Sequence, residues 1–147
     1  MENRTYRYFK GIPLYGFGYG LSYTTFSYAA QQIPVKAAQG ENVLITATVS
    51  NRGKVGGDEV AQLYVVNQDQ SIKAPIKSLK GFQRISLKAG ESKIVKFELS
   101  PDDLSYIDAT GAKKRFKGNL QLTIGGSQPD EPNRTSGNVI KAMISIE

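Results

Sequence analysis

A chain of 147 residues with a net charge of +6 and no cysteine, histidine or tryptophan fits one compact domain and few kinds of active site. Without cysteine there are no thiol nucleophiles, disulfides or thiolate metal sites. Without histidine the commonest general base and the usual zinc ligand are gone, which leaves paired carboxylates as the main catalytic chemistry.

The first stretch, residues 1–24, has neither a helical nor a strand period. The span from Tyr6 to Tyr28, which overlaps it, holds nine of the fourteen aromatic residues, interleaved with Gly11, Gly16, Gly18 and Gly20. Rings gathered this densely make an apolar patch that needs a cover. Two covers are open: the domain's own sheet, or a surface that is not in this chain. The second is the expectation here, with Tyr6, Tyr8, Phe9, Tyr15, Phe17, Tyr19 and Tyr23 as candidate interface residues. No signal-peptide core is legible, because Arg4, Tyr6, Arg7 and Lys10 interrupt any apolar run.

From residue 25 a β pattern begins. Phe26 and Tyr28 open a first strand that is expected to run on past Pro34, which an edge strand tolerates. In the run 43–49, Val43, Ile45, Ala47 and Val49 alternate with Thr46 and Thr48, the period of a half-buried strand. Asn51-Arg52-Gly53 and Gly56-Gly57-Asp58 mark the turn after it. The run 59–66 is apolar on nearly both faces and reads as a central strand. A polar loop to Pro75 is followed by two short strand pieces, 79–82 and 85–87, and then by a turn at Lys88-Ala89-Gly90-Glu91.

The run 94–99 points Val95, Phe97 and Leu99 inward. Ser100-Pro101-Asp102-Asp103 has the chemistry of a helix start, a serine cap with proline next and acids after it, and predicts a single turn. Strand segments return at 105–108, 114–116, 120–124 and 140–146. Seven or more short strands with turns between them and almost no helix predict an all-β, antiparallel sandwich of immunoglobulin or fibronectin type III kind. The expected division is an arm at 1–24 and a sandwich at 25–147.

Candidate chemistry is thin. Gly16-x-Gly18-x-Gly20 lacks the strand, helix and Lys-Ser/Thr of a phosphate loop. Asp58-Glu59 and Asp102-Asp103 are adjacent acids; neighbours on a strand face opposite ways, so neither pair is an acid/base couple. Asp69, Asp130 and Glu131 do not show the dense oxygen-ligand spacing of a calcium site. Asn3-Arg4-Thr5 and Asn133-Arg134-Thr135 match the glycosylation sequon, a pattern common by chance. The cationic run Lys113-Lys114-Arg115 with Lys117 reads as an exposed hairpin, so no nucleic-acid partner is expected. No apolar run approaches the roughly 18 residues of a membrane span. The arm tyrosines also fit a stacking platform for polysaccharide.

Four motifs in order carry a family resemblance. Thr5-Tyr6-Arg7-Tyr8-Phe9 with the run from Pro13 to Phe26 resembles the segment leading into the C-terminal fibronectin type III-like domain of glycoside hydrolase family 3. The run 57–65, Pro75 to Phe82, and Leu87-Lys88-Ala89-Gly90-Glu91 resemble that domain's next landmarks. The chain departs from the pattern at Gly16, commonly proline, and at Gly118-Asn119-Leu120, commonly Gly-x-aromatic. The resemblance implies a parent that is a retaining β-glucosidase or β-xylosidase using two carboxylates. It implies a nucleophile on a barrel domain, in a Ser-Asp-Trp-like motif, and an acid/base residue on an α/β domain. Neither has a counterpart here, so no catalytic, metal or cofactor residue carries over. As partners it implies those two catalytic domains, with the arm at the seam, and as location the periplasm or the cell exterior. A stand-alone adhesion or oligomerisation domain stays open as a third reading.

Overall fold

Phe26, Tyr28, Ile45, Val49, Leu63, Val95, Leu122 and Ile144 come from six separate strands and meet in one core. The computed structural model describes residues 22–69, 76–126 and 139–147. Those residues form ten strands and no helix. They are β1 (Phe26–Gln32), β2 (Lys36–Ala37), β3 (Val43–Asn51), β4 (Gly57–Asn67), β5 (Lys77–Leu87), β6 (Ser92–Leu99), β7 (Ser105–Ile107), β8 (Lys113–Arg115), β9 (Gly118–Gly125) and β10 (Val139–Ile146).

One sheet has the order β1-β3-β6 and the other β2-β10-β9-β4-β5, while β7 and β8 pair as a separate hairpin. Alternation decides what each strand gives the core. On β3, Val43, Ile45, Ala47 and Val49 are buried, while Leu44 is exposed and the threonines face partly outward. On β6, Val95, Phe97 and Leu99 are buried between exposed Ile94, Lys96 and Glu98. Ala61, Leu63 and Val65 of β4 meet them from the second sheet, with Leu120, Leu122 and Ile124 of β9. Each side chain fully removed from water here contributes about 1.5–3 kcal/mol. The core closes within the chain, since every one of these residues is covered on its inner side by the facing sheet.

Strand β4 lies between β9 and β5, as its two-sided apolar pattern predicts. Gln62 and Tyr64 point away from the core, yet both are buried. The Tyr64 hydroxyl donates to Gln62 Oε1 at 2.9 Å, and Gln62 Nε2 donates to the Gly126 carbonyl at 3.1 Å.

Two segments differ from expectation. The first strand does not pass Pro34: β1 ends at Gln32, and the chain crosses to the second sheet, where β2 pairs parallel with the end of β10. Proline has no N–H to continue a ladder, and its position marks the switch between sheets. The pieces 79–82 and 85–87 are one eleven-residue strand, β5. Its register with β4 slips by one residue, from Leu63 opposite Gly81 to Tyr64 opposite Leu79. That bulge at Lys80 breaks the alternation that the sequence alone would show. Gly81 beside it makes room for the Phe97 ring: a Cβ there would lie 3.0 Å from Phe97 Cδ1.

The predicted single turn at Ser100 is present. Ser100 N and Oγ both donate to Asp103 Oδ2, at 2.9 and 2.7 Å. Leu104 N reaches the Ser100 carbonyl at 3.3 Å, and the chain then leaves into β7.

Candidate inter-domain interface

The candidate interface begins where the arm meets the sandwich. Tyr6, Tyr8, Phe9, Tyr15, Phe17 and Tyr19 lie outside the described residues. Tyr23 is described, and its ring is fully exposed. One residue on, the chain is fixed. Thr24 Oγ1 donates to Asn51 Oδ1 at 2.6 Å, and the Gly53 N–H donates to the same oxygen at 2.9 Å. Asn51 Nδ2 donates to the carbonyls of Val55 at 2.8 Å and Leu87 at 3.2 Å. Asn51 is 1% exposed, so its amide would be costly to bury without these four bonds.

Two glycines cut the notch through which Thr24 passes. A Cβ on Gly53 would overlap the Thr24 hydroxyl and crowd its backbone, and a Cβ on Gly57 would lie 2.8 Å from Thr24 Cγ2. Arg52 N donates to the Thr25 carbonyl at 2.7 Å, and the first ladder pair, Phe26 opposite Asn51, follows at once. The path of the chain at Thr24 and Thr25 is therefore set by the turn between β3 and β4. Sequence reasoning read Asn51-Arg52-Gly53 only as turn punctuation; the long-range partner of Asn51 had no local signal.

The acidic residues are held apart. Asp58 faces outward, where Arg84 Nη2 donates to its Oδ2 at 2.5 Å. That hydrogen bond, together with those from Ser86 and the Arg84 charge, holds its carboxyl below the usual range. Glu59 points to the other side of β4 and accepts from the Tyr28 hydroxyl at 2.6 Å. Asp102 pairs with Lys113 at 2.8 Å, which lowers its pKa, and Asp103 closes the Ser100 turn. Asp108 Oδ1 accepts from Thr110 N, Thr110 Oγ1 and Ala112 N at 2.9, 2.6 and 3.0 Å, and Oδ2 pairs with Lys114 at 2.9 Å. These donors, the Thr110 hydroxyl first, hold the Asp108 carboxyl well below the ordinary range; the Asp108 hydrogen bond and charge raise Lys114.

Each of these carboxylates shapes a turn or pairs with a neighbour, and neither adjacent pair converges on a common space. Among the described residues, no three Asp or Glu side chains gather as a metal site would require. Asn67 closes the end of β4, its Oδ1 accepting from the Asp69 N–H at 3.0 Å and its Nδ2 donating to the Asp69 carbonyl at 3.2 Å. Asp130 and Glu131 lie outside the described residues.

The cationic run is the hairpin expected for it. Lys113, Lys114 and Arg115 form β8, all exposed, opposite β7. Gly111 takes φ +84° at the tip, and the Tyr106 and Phe116 rings stack beneath at 4.9 Å between centroids. Lys113 and Lys114 are both paired with carboxylates, those of Asp102 and Asp108. Gly118 turns the chain into β9 at φ +92°.

Comparison with known proteins places this architecture. The fibronectin type III-like domain family matches residues 59–128. A β-xylosidase of Formosa agariphila is 37% identical over 137 residues, which is 92% of this chain and 19% of that protein. A β-glucosidase of Bacteroides ovatus is 42% identical over 103 residues, 67% of this chain and 13% of its own length. Among solved structures, a β-glucosidase of Listeria innocua in complex with gluconolactone superposes with a TM-score of 0.80 at 30% identity. It covers 98% of this chain, which spans 20% of that one. A GH3 β-glucosidase of Bifidobacterium adolescentis gives 0.72 at 30% identity, covering 88% of this chain and 18% of its own. The chain spans a fifth or less of the curated relatives it matches. It carries a fibronectin type III-like domain matching the C-terminal part of the family 3 β-glucosidases and β-xylosidases.

Proposed function

We propose that this chain is the non-catalytic C-terminal accessory module of a family 3 β-glycosidase, and that it braces the barrel and α/β domains that carry the chemistry. The observation behind this reading is one of proportion. Between 67% and 92% of the chain aligns with two such enzymes, and it accounts for only 13–19% of their lengths. The two-carboxylate route needs two acids across a substrate. The adjacent acids described here are instead tied to Arg84, Tyr28, Lys113 and Ser100. In this reading residues 1–24 form the connecting arm, residues 25–147 the sandwich, and the aromatic side chains from Tyr6 to Tyr23 the contact. The notch at Gly53 and Gly57 would give that arm a fixed heading, which a brace requires and a loose tether does not.

The test has two arms. The purified chain should release no chromophore from aryl β-glucosides or β-xylosides, and measurable turnover by it would sink the non-catalytic reading. Removing residues 1–147 from the longer polypeptide that carries them should lower its thermal half-life. Polysaccharide binding is the second reading, favoured by the complete exposure of Tyr23. A pull-down on insoluble xylan and cellulose that depends on Tyr15, Tyr19 and Tyr23 would support it over bracing.

A further inference from the structure

The outward face of the sheet formed by β4 and β5 carries an apolar patch where the sandwich has no need of one. Phe82 is 72% exposed and Val60 is 38% exposed. Phe82 stands opposite Gln62 and Arg84 opposite Val60, so Phe82 and Val60 occupy one diagonal of the ladder. Asp58 and Arg84 occupy the next diagonal of the same sense, and their side chains touch. The diagonal that joins the ion pair thus sets the phenyl ring beside the valine. Deeper on this face, Tyr64 and Thr123 stand opposite each other and are fully buried.

The outward face of the other sheet is different. Its large exposed apolar side chains are Leu44 and Ile94, which stand opposite Glu98 and Thr48, four ladder positions apart. Between them lie Thr46 and Lys96. Scattered single apolar residues are ordinary on a surface; an aromatic beside a valine, rimmed by an ion pair, has the composition of an interface centre.

The patch also lies near the pole at which the arm enters. Thr24 passes over Gly57, the first residue of β4, and Val60 is three residues further along that strand. The relatives continue for about four-fifths of their length beyond the part matched here. Resting on the bracing reading above, we infer that Phe82 and Val60 form a second contact, continuous with the arm, on which the catalytic portion of the parent β-glycosidase seats. The arm gives the heading, and the β4–β5 face fixes the rotation of the module about it. A contact extended along β4 in this way holds a body against rotation where the arm alone does not.

The experiment uses the longer polypeptide that carries this chain, as wild type, Phe82→Asp, Ile94→Asp and a form lacking residues 1–147. Hydroxyl-radical footprinting reads Phe82 directly. Its oxidation in the wild-type polypeptide should be about tenfold slower than in the 147-residue chain alone, as burial of an exposed ring demands. Ile94 should oxidise equally in both. Calorimetry should show one transition for wild type and Ile94→Asp, and two for Phe82→Asp. The isolated chain should melt at the same temperature with either substitution, which separates docking from folding. Equal oxidation of Phe82 in the two contexts overturns the assignment, whatever the variants do. If the truncated form keeps the wild-type transition, the bracing reading itself has failed. If truncation matters while Phe82 stays unprotected, only the face is wrong. A concentration-dependent dimer of the chain that Phe82→Asp dissolves would make a second copy the occupant and also overturn the proposal.

Discussion

The hydroxyl of Thr24 lies 2.6 Å from Oδ1 of Asn51, and this bond ties the segment entering the sandwich to the turn that closes β3. Asn51 spends both amide protons on carbonyls of the second sheet and its connection, those of Leu87 and Val55. One buried side chain thus joins the arm's root, the β3–β4 turn and the end of β5.

Asn51→Ala should therefore be among the more damaging single changes in the body. It strands buried donors and acceptors, for a cost of about 2–4 kcal/mol. Thr24→Val removes one bond and should cost about 1 kcal/mol. Urea unfolding of the two variants should show that order; equal midpoints would mean that the amide network contributes nothing.

Gly53→Ala should reproduce the Thr24→Val loss and exceed it, because the new methyl group crowds the Thr24 backbone as well as its hydroxyl. Gly90→Ala tests a different effect. That glycine has φ +75° and open space around it, so only backbone strain acts, about 1 kcal/mol. In the Gly53→Ala, Thr24→Val double variant the two changes should be strongly non-additive. Simple additivity of their melting-temperature shifts would refute the notch.

Strands such as β3 and β6 were legible because their inner faces repeat every second residue, and burial follows that repeat in both. What stayed hidden depends on partners far away in sequence. Lys80 is an extra residue only relative to β4, and Asn51 is a clamp only because Thr24 and Leu87 arrive beside it. Phe82 looked like any strand aromatic. Its outward setting follows from the unbroken register of residues 81–87, in which Ile85 and Leu87 face inward, while the bulge at Lys80 puts Leu79 out of step with them. The arm was legible as an anomaly of composition, and its root at Thr24 was not.

Phe97→Ala should cost about 3–5 kcal/mol as a core truncation. Gly81→Ala pushes against the same ring from the opposite side and should cost about 1–3 kcal/mol through overpacking. Combining Gly81→Ala with Phe97→Leu should recover part of the loss, because the smaller side chain vacates the space. Chemical denaturation of these variants and of Phe97→Leu alone checks this; a double variant no more stable than the sum of its parts would remove the Gly81–Phe97 contact from the account.

The pH dependence has a definite sign. Asp58, Glu91 and Asp102 have carboxyls lowered from ordinary values of 3.8, 4.5 and 3.8, by Arg84, by the Lys88 N–H and by Lys113 respectively. Lowered folded values mean that the unfolded chain takes up more protons on acidification. Their stabilisation is present above the ordinary values and is lost as pH falls through the lower folded ones. Lys114 is raised from 10.5 by Asp108, so its contribution is complete below that value and is lost as pH rises through the higher folded one. None of these groups titrates near neutrality, and the chain has no histidine. The melting temperature should be flat around neutral pH and fall at both extremes. A step near pH 6.5 would contradict this assignment.

The short strand β2 has a consequence for how the molecule can be handled. It lies beside the end of β10, and Glu147 is stitched there by its N–H to Ala37, by its carbonyl to Gln39 and by its side chain to Lys36. Thr24 sits at the other end, against the start of β4. The strand β3, nine residues long, runs between the two poles, a span of roughly 30 Å at the usual rise per residue. A probe or surface linkage attached at residue 147 would stand off the pole that presents Tyr23, leaving that end unobstructed.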